Sequence, residues 1–113
     1  MADDAVTLGA LKDAVRAFAA ARRWESFHTP KNLSMALAAE VAELMEHFLW
    51  LTGEESYAAC TDVTKREAIA DELADVMNLV LQFSVHSGID ISDAFAHKLR
   101  KNALKYPAPE LGT

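Results

Sequence analysis

The 113-residue sequence has little cysteine, proline or glycine: one, three and four residues respectively. A lone cysteine, Cys60, cannot form a disulfide within the chain, so we expect a reduced, cytoplasmic protein. No apolar stretch approaches the ~18 residues of a transmembrane helix, and the acidic start Met1-Ala2-Asp3-Asp4 is unlike a secretory signal. The sequence therefore predicts neither a disulfide scaffold nor a membrane protein.

Positive charge is also in short supply, with 11 Lys and Arg against 17 Asp and Glu and a net charge of −6. This balance argues against binding a nucleic acid polymer through bulk charge. It leaves room for a small anionic substrate, because a bound metal ion reverses the local field. The length predicts one domain over 1–113, with an ordered core at about 7–107. Hydrophobic residues make up 51%, more than a small bundle buries alone, which favours a subunit interface.

Apolar residues recur at spacings of three and four along most of the chain, and nothing reads as a strand. The pattern predicts an all-α four-helix bundle. The segment 54–63 is expected to be a linker or a short extra turn, and the tail beyond Pro107 to be loose. We expect Phe95 and Leu99 of the last helix to face inward. The four predicted helices cover about 8–23, 30–51, 65–87 and 92–105.

Capping residues place the ends of these helices. Pro30 suits a first helical turn, where its missing N–H is not needed, and Thr64 with Glu67 has the pattern of a capping box. Glycine is a natural terminator of helices. The expected caps at the starts are Thr7, Thr64 and Ser92, and the expected stops are Gly53 and Gly88.

Two short acid pairs, Glu40-x-x-Glu43 and Glu72-x-x-Asp75, are the feature that points to chemistry. Residues three apart on a helix share a face, and each pair borders the apolar stripe of its helix. One such pair alone is more typical of a solvated face, since Glu favours helices and is mostly exposed. Two pairs on neighbouring helices would instead bring four carboxylates together, which repel each other unless cations lie between them.

Hard cations prefer oxygen ligands, and Mg²⁺ binds through carboxylates together with substrate phosphates. The acid pairs therefore predict a Mg²⁺ site, with Mn²⁺ as an alternative metal, acting on a phosphate compound. One carboxylate could instead accept a proton from the attacking water. Glu43 is our candidate for that base, and the sequence leaves the choice open.

A di-iron carboxylate bundle is a competing interpretation of acids on helices. It needs two Glu-x-x-His motifs together with two further Glu residues. The sequence has one such motif, Glu25-Ser-Phe-His28, and it lies at a break between helices. The acid pairs end in Glu43 and Asp75 where His would be needed, so this interpretation is disfavoured.

Aromatic and basic residues supply what a nucleotide would need. Trp24 and His28 precede the second helix, and Trp50 follows Glu43, so their rings could stack on a base, although core or interface packing explains aromatic residues equally well. Lys98 and Lys105 near the end of the last helix could contact phosphate, or simply complement the helix dipole. Asn102 lies on the same face as Lys98.

These residues resemble a known family in order and spacing. The motifs are Trp24-Glu-Ser-Phe-His28-Thr-Pro30-Lys31-Asn32-Leu33, the two acid pairs, Phe48-Leu-Trp50, and the ending Lys98…Asn102…Lys105-Tyr106-Pro107. Together they are similar to the all-α nucleoside triphosphate pyrophosphohydrolases, in the MazG-like branch that includes dCTP pyrophosphatase. The resemblance covers about 18–107.

The resemblance implies hydrolysis of a (deoxy)nucleoside triphosphate between its α- and β-phosphates, giving a monophosphate and pyrophosphate. It also implies Mg²⁺, nucleotide-pool house-cleaning and a homo-oligomer, with a tetramer favoured over a dimer. The implied metal ligands are Glu40, Glu43, Glu72 and Asp75. The implied substrate-binding residues are Trp24, His28, Lys31, Trp50, Asn78, Lys98, Asn102, Lys105 and Tyr106.

Two departures concern the preferred base. Where dCTP pyrophosphatases carry a Tyr one turn after the last acid, this chain has Leu79, and where that branch can offer a His it has Val15. The acid pattern also serves dimeric dUTPases and phosphoribosyl-ATP pyrophosphohydrolases, but the aromatic run before the second helix favours the MazG-like branch. A non-catalytic helical oligomerisation or nucleotide-sensing module is the alternative function.

Overall fold

Helices form nearly all of the regular structure of the computed structural model, which describes residues 1–110, and no strand occurs there. The prediction of an all-α fold is confirmed. The longest helix, α4, lies at the centre, and α1, α2 and α3 pack on it. The helices are α1 (Leu8–Ala21), α2 (Pro30–Glu46), α3 (Gly53–Thr61), α4 (Val63–Ser87) and α5 (Ile91–Lys105), with a 3-10 turn at Glu25–Phe27.

Three of the predicted helix ends are confirmed. The Thr7 hydroxyl accepts a hydrogen bond from a backbone N–H of the first turn of α1, and Pro30 occupies the first position of α2. Gly88 ends α4 with φ of 74°, a left-handed conformation that glycine adopts without a Cβ clash.

The connection between the acid-bearing helices differs from the prediction. Helix α2 ends at Glu46, and the segment expected to be a linker contains α3. A reciprocal capping box begins α3: Thr52 Oγ1 accepts from Glu55 N at 3.1 Å, and Glu55 Oε1 accepts from Thr52 N at 2.9 Å. Gly53 thus opens α3 and does not stop α2. Periodicity missed α3 because it has nine residues and buries only Ala59.

Two predicted caps were wrong by two residues. Asp62 caps α4 by accepting from Lys65 N at 3.0 Å, so Thr64 lies inside the helix. Asp90 caps α5 in the same way, with its Oδ1 2.9 Å from the backbone N of Asp93, so Ser92 also lies inside. In both cases an aspartate is available earlier, and Asp is at least as good an N-cap as Ser or Thr.

The core is small, and its buried apolar residues are Ala19, Leu33, Ala59 and Leu81. Phe95 and Leu99 are 65% and 54% exposed, so the prediction that they face inward was wrong for the single chain. The reason is that α5 packs only sparsely on the other helices.

The dimensions agree with this open packing. The radius of gyration is 17.3 Å, against about 13 Å for a compact domain of similar length. None of the helices within 1–110 is both long enough and apolar enough to cross a membrane. The prediction of a loose tail falls partly on residues 111–113, which lie outside the described residues.

The start of α4 can be tested by replacing each of the two candidate N-cap residues with alanine. Asp62→Ala removes the side-chain acceptor and should destabilise the protein by about 1 kcal/mol, seen as a lower Tm in thermal denaturation. Thr64→Ala is the matched control and should change Tm much less, because Thr64 caps nothing. Equal losses, or a larger loss in Thr64→Ala, would contradict the assignment.

Candidate functional site

The acid pairs are carried by the two helices that pack most extensively on each other, α2 and α4. Helix α2 begins at the Thr29 cap and is anchored by Leu33, which is 2% exposed. Glu40 and Glu43 follow two and three turns later, and Glu72 and Asp75 lie near the middle of α4. Packing of the two helices therefore places the carboxylates opposite each other.

Three of the four acids meet. Glu40, Glu43 and Glu72 each offer one carboxylate oxygen, and these oxygens all lie within 4.8 Å of one another. Glu40 and Glu72 are half-buried, whereas Glu43 is exposed. Asp75 lies outside this group of three, but its charge acts on both Glu40 and Glu72. We refer to Glu40, Glu43, Glu72 and Asp75 as the acidic cluster.

Burial and the neighbouring carboxylates disfavour the charged forms of Glu40 and Glu72. Burial, then a hydrogen bond and the charge of Glu43, raise the pKa of Glu40 from its ordinary value of 4.5 to about 7, with smaller contributions from Asp75 and Glu72. Burial is also the main reason that the pKa of Glu72 is raised, followed by Glu43. Both shifts have the sign expected when like charges share a site with little water.

The buried oxygens of the cluster lack donors. Oε2 of Glu40 and Oε2 of Glu72 are out of contact with solvent, and no group in residues 1–110 donates a hydrogen bond to either. A carboxylate oxygen left in this state is costly, and a cation removes the cost. Mg–O distances of about 2.0–2.1 Å put two oxygens on one ion at most ~4.2 Å apart, so a small closure suffices. The cluster could thus hold a divalent metal.

The residues before α2 form an aromatic turn, Trp24–His28. The Trp24 ring packs edge-to-face on Phe18 at 5.7 Å between centroids and on His28 at 6.5 Å. His28 in turn packs on His86 of α4 at 5.5 Å. The structure therefore brings two of the predicted base-binding residues together, in contact with α4.

Asn32 holds this turn, a function that the sequence analysis missed. Its Nδ2 donates to the Phe27 carbonyl at 3.0 Å, and its backbone N donates to Thr29 Oγ1 at 3.1 Å. Arg23, immediately before the turn, has φ of 56°, an unusual conformation for a residue with a Cβ. The only available signal was the position of Asn32 within the motif that ends in Leu33.

Other predicted substrate residues are not held at the acidic cluster by the single chain. Trp50 lies in the turn after α2 and is 90% exposed, so it is not on the helical stripe of Glu43. Lys31 and Asn78 are exposed. Within residues 1–110 no hydrogen bond or ion pair joins the acidic cluster to any of Lys31, Asn78, Lys98, Asn102, Lys105 and Tyr106. The Lys105 ammonium lies instead 5.3 Å from the ring centre of Tyr106.

The sequence is similar to a known family and to proteins of known name. The model of the MazG-like family matches residues 35–112. Human dCTP pyrophosphatase 1 is 38% identical over 91 residues, which cover 80% of this chain and 54% of that protein. The bovine protein of the same name is 37% identical over 90 residues, or 80% and 53%. The chain therefore spans about half the length of the curated relatives it matches.

A solved structure gives the same likeness in three dimensions. The crystal structure of a pyrophosphatase from Archaeoglobus fulgidus superposes with a TM-score of 0.81 at 34% identity. The match covers 87% of this chain and 90% of that one. The arrangement of helices described above is thus shared with a protein solved independently.

The raised pKa of Glu40 predicts how stability depends on pH without metal. Between pH 4.5 and about 7 the folded protein binds more protons than the unfolded one, so this contribution to stability falls as pH rises. Glu40→Gln should remove it. The Tm of wild type relative to Glu40→Gln, measured with chelator, should therefore decrease from pH 5 to 7.5.

Glu46→Gln is the matched control for that measurement, since Glu46 is exposed on the same helix and lies outside the acidic cluster. It should follow wild type at every pH. A difference between wild type and Glu40→Gln that stays constant with pH would show that Glu40 titrates at its ordinary value.

Proposed function

The chain belongs to the MazG-like family, and we propose that it hydrolyses (deoxy)nucleoside triphosphates between the α- and β-phosphates. Water adds to the α-phosphorus and loses a proton, and the bond from the α-phosphorus to the bridging oxygen breaks. Pyrophosphate is the leaving group, and the other product is a nucleoside monophosphate. The observation that carries this proposal is the cluster of three carboxylate oxygens within 4.8 Å, two of whose residues keep a buried oxygen without a donor. The activity named for the dCTP pyrophosphatase 1 relatives supports it.

We propose Mg²⁺ as the metal, with Mn²⁺ able to replace it, held by Glu40, Glu43, Glu72 and Asp75. When bound, such an ion neutralises charge on phosphate oxygens and aligns the reacting groups. The carboxylates would hold it in a site that is half-buried on the Glu40 and Glu72 side and open at Glu43. That asymmetry leaves one side of the site free for the triphosphate.

Glu43 is the proposed acceptor of the proton that the attacking water loses. It is the exposed member of the three grouped acids, so water reaches it more readily than Glu40 or Glu72. A general base has to lie within hydrogen-bond reach of the proton it removes. An acid at the open edge of the cluster meets that requirement better than its half-buried neighbours.

The aromatic turn is the proposed neighbour of the nucleoside. Trp24 is 45% exposed while its ring packs on Phe18 and His28, so it is both held in place and partly open to a ligand. We retain Lys31, Asn78 and Trp50 as proposed substrate residues, together with Lys98, Asn102, Lys105 and Tyr106 of the last helix and its end.

A homo-oligomer is part of this proposal, as a tetramer or else a dimer. Phe95, Leu99 and Leu104 of α5 are 65%, 54% and 86% exposed, and α5 packs sparsely on its own chain. Exposed apolar surface on this scale marks an interaction site. A second copy covering α5 would also bring its basic residues toward another chain. We place the enzyme in the cytoplasm, in nucleotide-pool house-cleaning.

Purified protein incubated with a panel of nucleoside triphosphates should release monophosphate and pyrophosphate with Mg²⁺, and neither with chelator. Chromatography of the products with a pyrophosphate assay makes this measurement. Diphosphate with inorganic phosphate as products, or no cleavage of any triphosphate, would overturn the proposal. Binding without cleavage would favour a nucleotide-sensing module.

Glu72→Gln tests the acidic cluster directly. Loss of a group that only supports a metal ligand costs about 10- to 100-fold, so loss of a ligand should lower kcat/KM by at least ~100-fold. Glu46→Gln on the neighbouring helix should stay within about twofold of wild type. Circular dichroism should show both variants folded, and equal activity of the two would contradict a metal site at Glu72.

Light scattering should give the wild type a mass that is a multiple of 12.4 kDa, and Leu99→Asp should shift it toward a smaller species, because a charge would enter an apolar contact. His97→Asp is the matched control, since two positions along a helix place it on nearly the opposite face. A monomeric wild type at micromolar concentration would contradict the oligomer.

A further inference from the structure

Arg22 lies where α1 ends, and its side chain folds back over the helix. The guanidinium carbon is 3.5 Å from the centre of the Phe18 ring and 6.0 Å from that of the Trp24 ring. Nη1 also donates a hydrogen bond to the Phe18 carbonyl at 3.1 Å. A guanidinium within about 6 Å of a ring centre is attracted by the negative face of that ring. We refer to Phe18, Arg22 and Trp24 as the arginine–aromatic cluster.

The backbone at the end of α1 explains how the cluster comes together. The Trp24 N–H donates to the Ala19 carbonyl at 3.0 Å, and the Arg23 N–H donates to the Ala20 carbonyl at 3.1 Å. Between them Arg23 is left-handed, with φ of 56°. These two bonds form the Schellman motif, which ends many helices and commonly brings the residue after the turn onto the last turn of the helix. Here Trp24 is brought onto Phe18, with 5.7 Å between the ring centres.

The left-handed residue shows that this placement of Trp24 is costly. Glycine adopts a positive φ freely, whereas any other residue brings its Cβ too close to the backbone. Residues held in this way persist only where their surroundings fix them, and they are frequent at ligand sites. In residues 1–110 the Arg23 side chain has no ion pair, hydrogen bond or ring contact of its own. The contacts of its neighbours in the cluster therefore have to hold the turn.

Trp24 depends on few contacts for its orientation. Its side chain is 45% exposed, and Phe18, on which it packs, is 47% exposed. Besides Phe18, the described partners of the ring are His28 and the Arg22 guanidinium. A half-exposed ring loses rotational freedom when a ligand fixes it, and this loss weakens binding. A contact that fixes the ring beforehand removes that loss.

The Arg22 guanidinium is committed to the two rings. No acid among residues 1–110 forms an ion pair with it. Arg16, the other arginine of α1, is paired instead with Asp13 at 3.2 Å and contacts no described ring. A guanidinium is planar and weakly hydrated, so it stacks on a ring better than an ammonium does. Arg22 thus covers one side of Phe18, while Trp24 packs against the same ring.

We propose that Arg22 is a positioning residue for the proposed hydrolysis, and that it holds Phe18 and the Trp24 ring in the orientation that meets the nucleoside. The inference rests on the proposed function, in which Trp24 neighbours the nucleoside. Arg22 acts through Trp24 and does not itself contact the nucleotide. A contact to the nucleoside, away from the reacting phosphorus, strengthens the binding of substrate and transition state equally. Its loss therefore raises KM and leaves kcat unchanged.

Arg22→Met removes the charge and keeps a long apolar side chain. It should raise KM by about fivefold for the triphosphate that wild type cleaves best, close to the upper value for an exposed cation–π contact, with kcat unchanged. Arg22→Lys keeps a cation and should restore most of the loss. A fall in kcat with KM unchanged would overturn the inference.

Arg23→Met is the matched control, because it removes the adjacent charge, which contacts no ring. It should keep the KM of wild type. An equal rise in KM in Arg22→Met and Arg23→Met would show that positive charge alone attracts the substrate, and the inference would then be wrong.

A double-mutant cycle decides whether Arg22 acts through Trp24. In a Trp24→Ala background the ring that Arg22 positions is gone, so Arg22→Met should have no further effect on KM. If the rise in KM persists in that background, Arg22 contacts the nucleotide directly and is not a positioning residue.

Trp24 fluorescence gives a measurement that needs no turnover. The chain has two tryptophans, so Trp50→Phe leaves Trp24 as the only reporter. In that background Arg22→Met should increase quenching by acrylamide, because the ring becomes more mobile and more accessible, whereas Arg23→Met should not. Equal quenching with and without Arg22 would show that Trp24 is held by other contacts, against the inference.

Calorimetry with the four deoxynucleoside monophosphates separates this inference from the proposed function. If wild type cleaves no triphosphate, yet binding of a monophosphate weakens in Arg22→Met and the effect disappears in Trp24→Ala, the inference stands and the proposed function fails. If triphosphates are cleaved but Arg22 and Trp24 show no coupling, the inference fails alone. If no nucleotide binds, both fail.

Discussion

Mutual repulsion among carboxylates held between α2 and α4 is the constraint on which the rest of the site depends. Helix packing brings Glu40, Glu43 and Glu72 together, and one oxygen each of Glu40 and Glu72 is out of contact with water. A protein free of functional demands would replace such a group with apolar residues. A cation that took the place of the missing donors would explain its presence between α2 and α4.

The same packing leaves α5 with few contacts to the other helices. Helix α4 supports α1, α2 and α3, whereas α5 packs sparsely on its own chain and keeps Phe95, Leu99 and Leu104 exposed. The group of Glu40, Glu43 and Glu72, by contrast, is formed within one chain. The basic residues of α5 lie on an element whose surroundings one chain does not define.

Sequence periodicity predicted the helices that carry long apolar stripes. The spacing of the acids predicted a meeting of four carboxylates, of which Glu40, Glu43 and Glu72 meet and Asp75 lies outside the group. Periodicity did not predict the helix boundaries that local hydrogen bonds determine. The capping box of Thr52 and Glu55 creates α3 without any apolar stripe, and Asp62 starts α4 before the residue that the pattern favoured. A single polar residue within an apolar run, such as Gln82, forms no pattern. The sequence therefore did not predict the hydrogen bond from Gln82 to the Val15 carbonyl that joins α4 to α1.

The helical connection α3 has a mechanical consequence. A flexible linker between α2 and α4 would let the two acid pairs slide past each other, and ordering it would cost conformational entropy each time the site formed. A helix of nine residues behaves instead as a strut about 13 Å long. Because α3 also packs on α4, it holds the connection in one place, while the direct packing of α2 on α4 sets the spacing of the carboxylates.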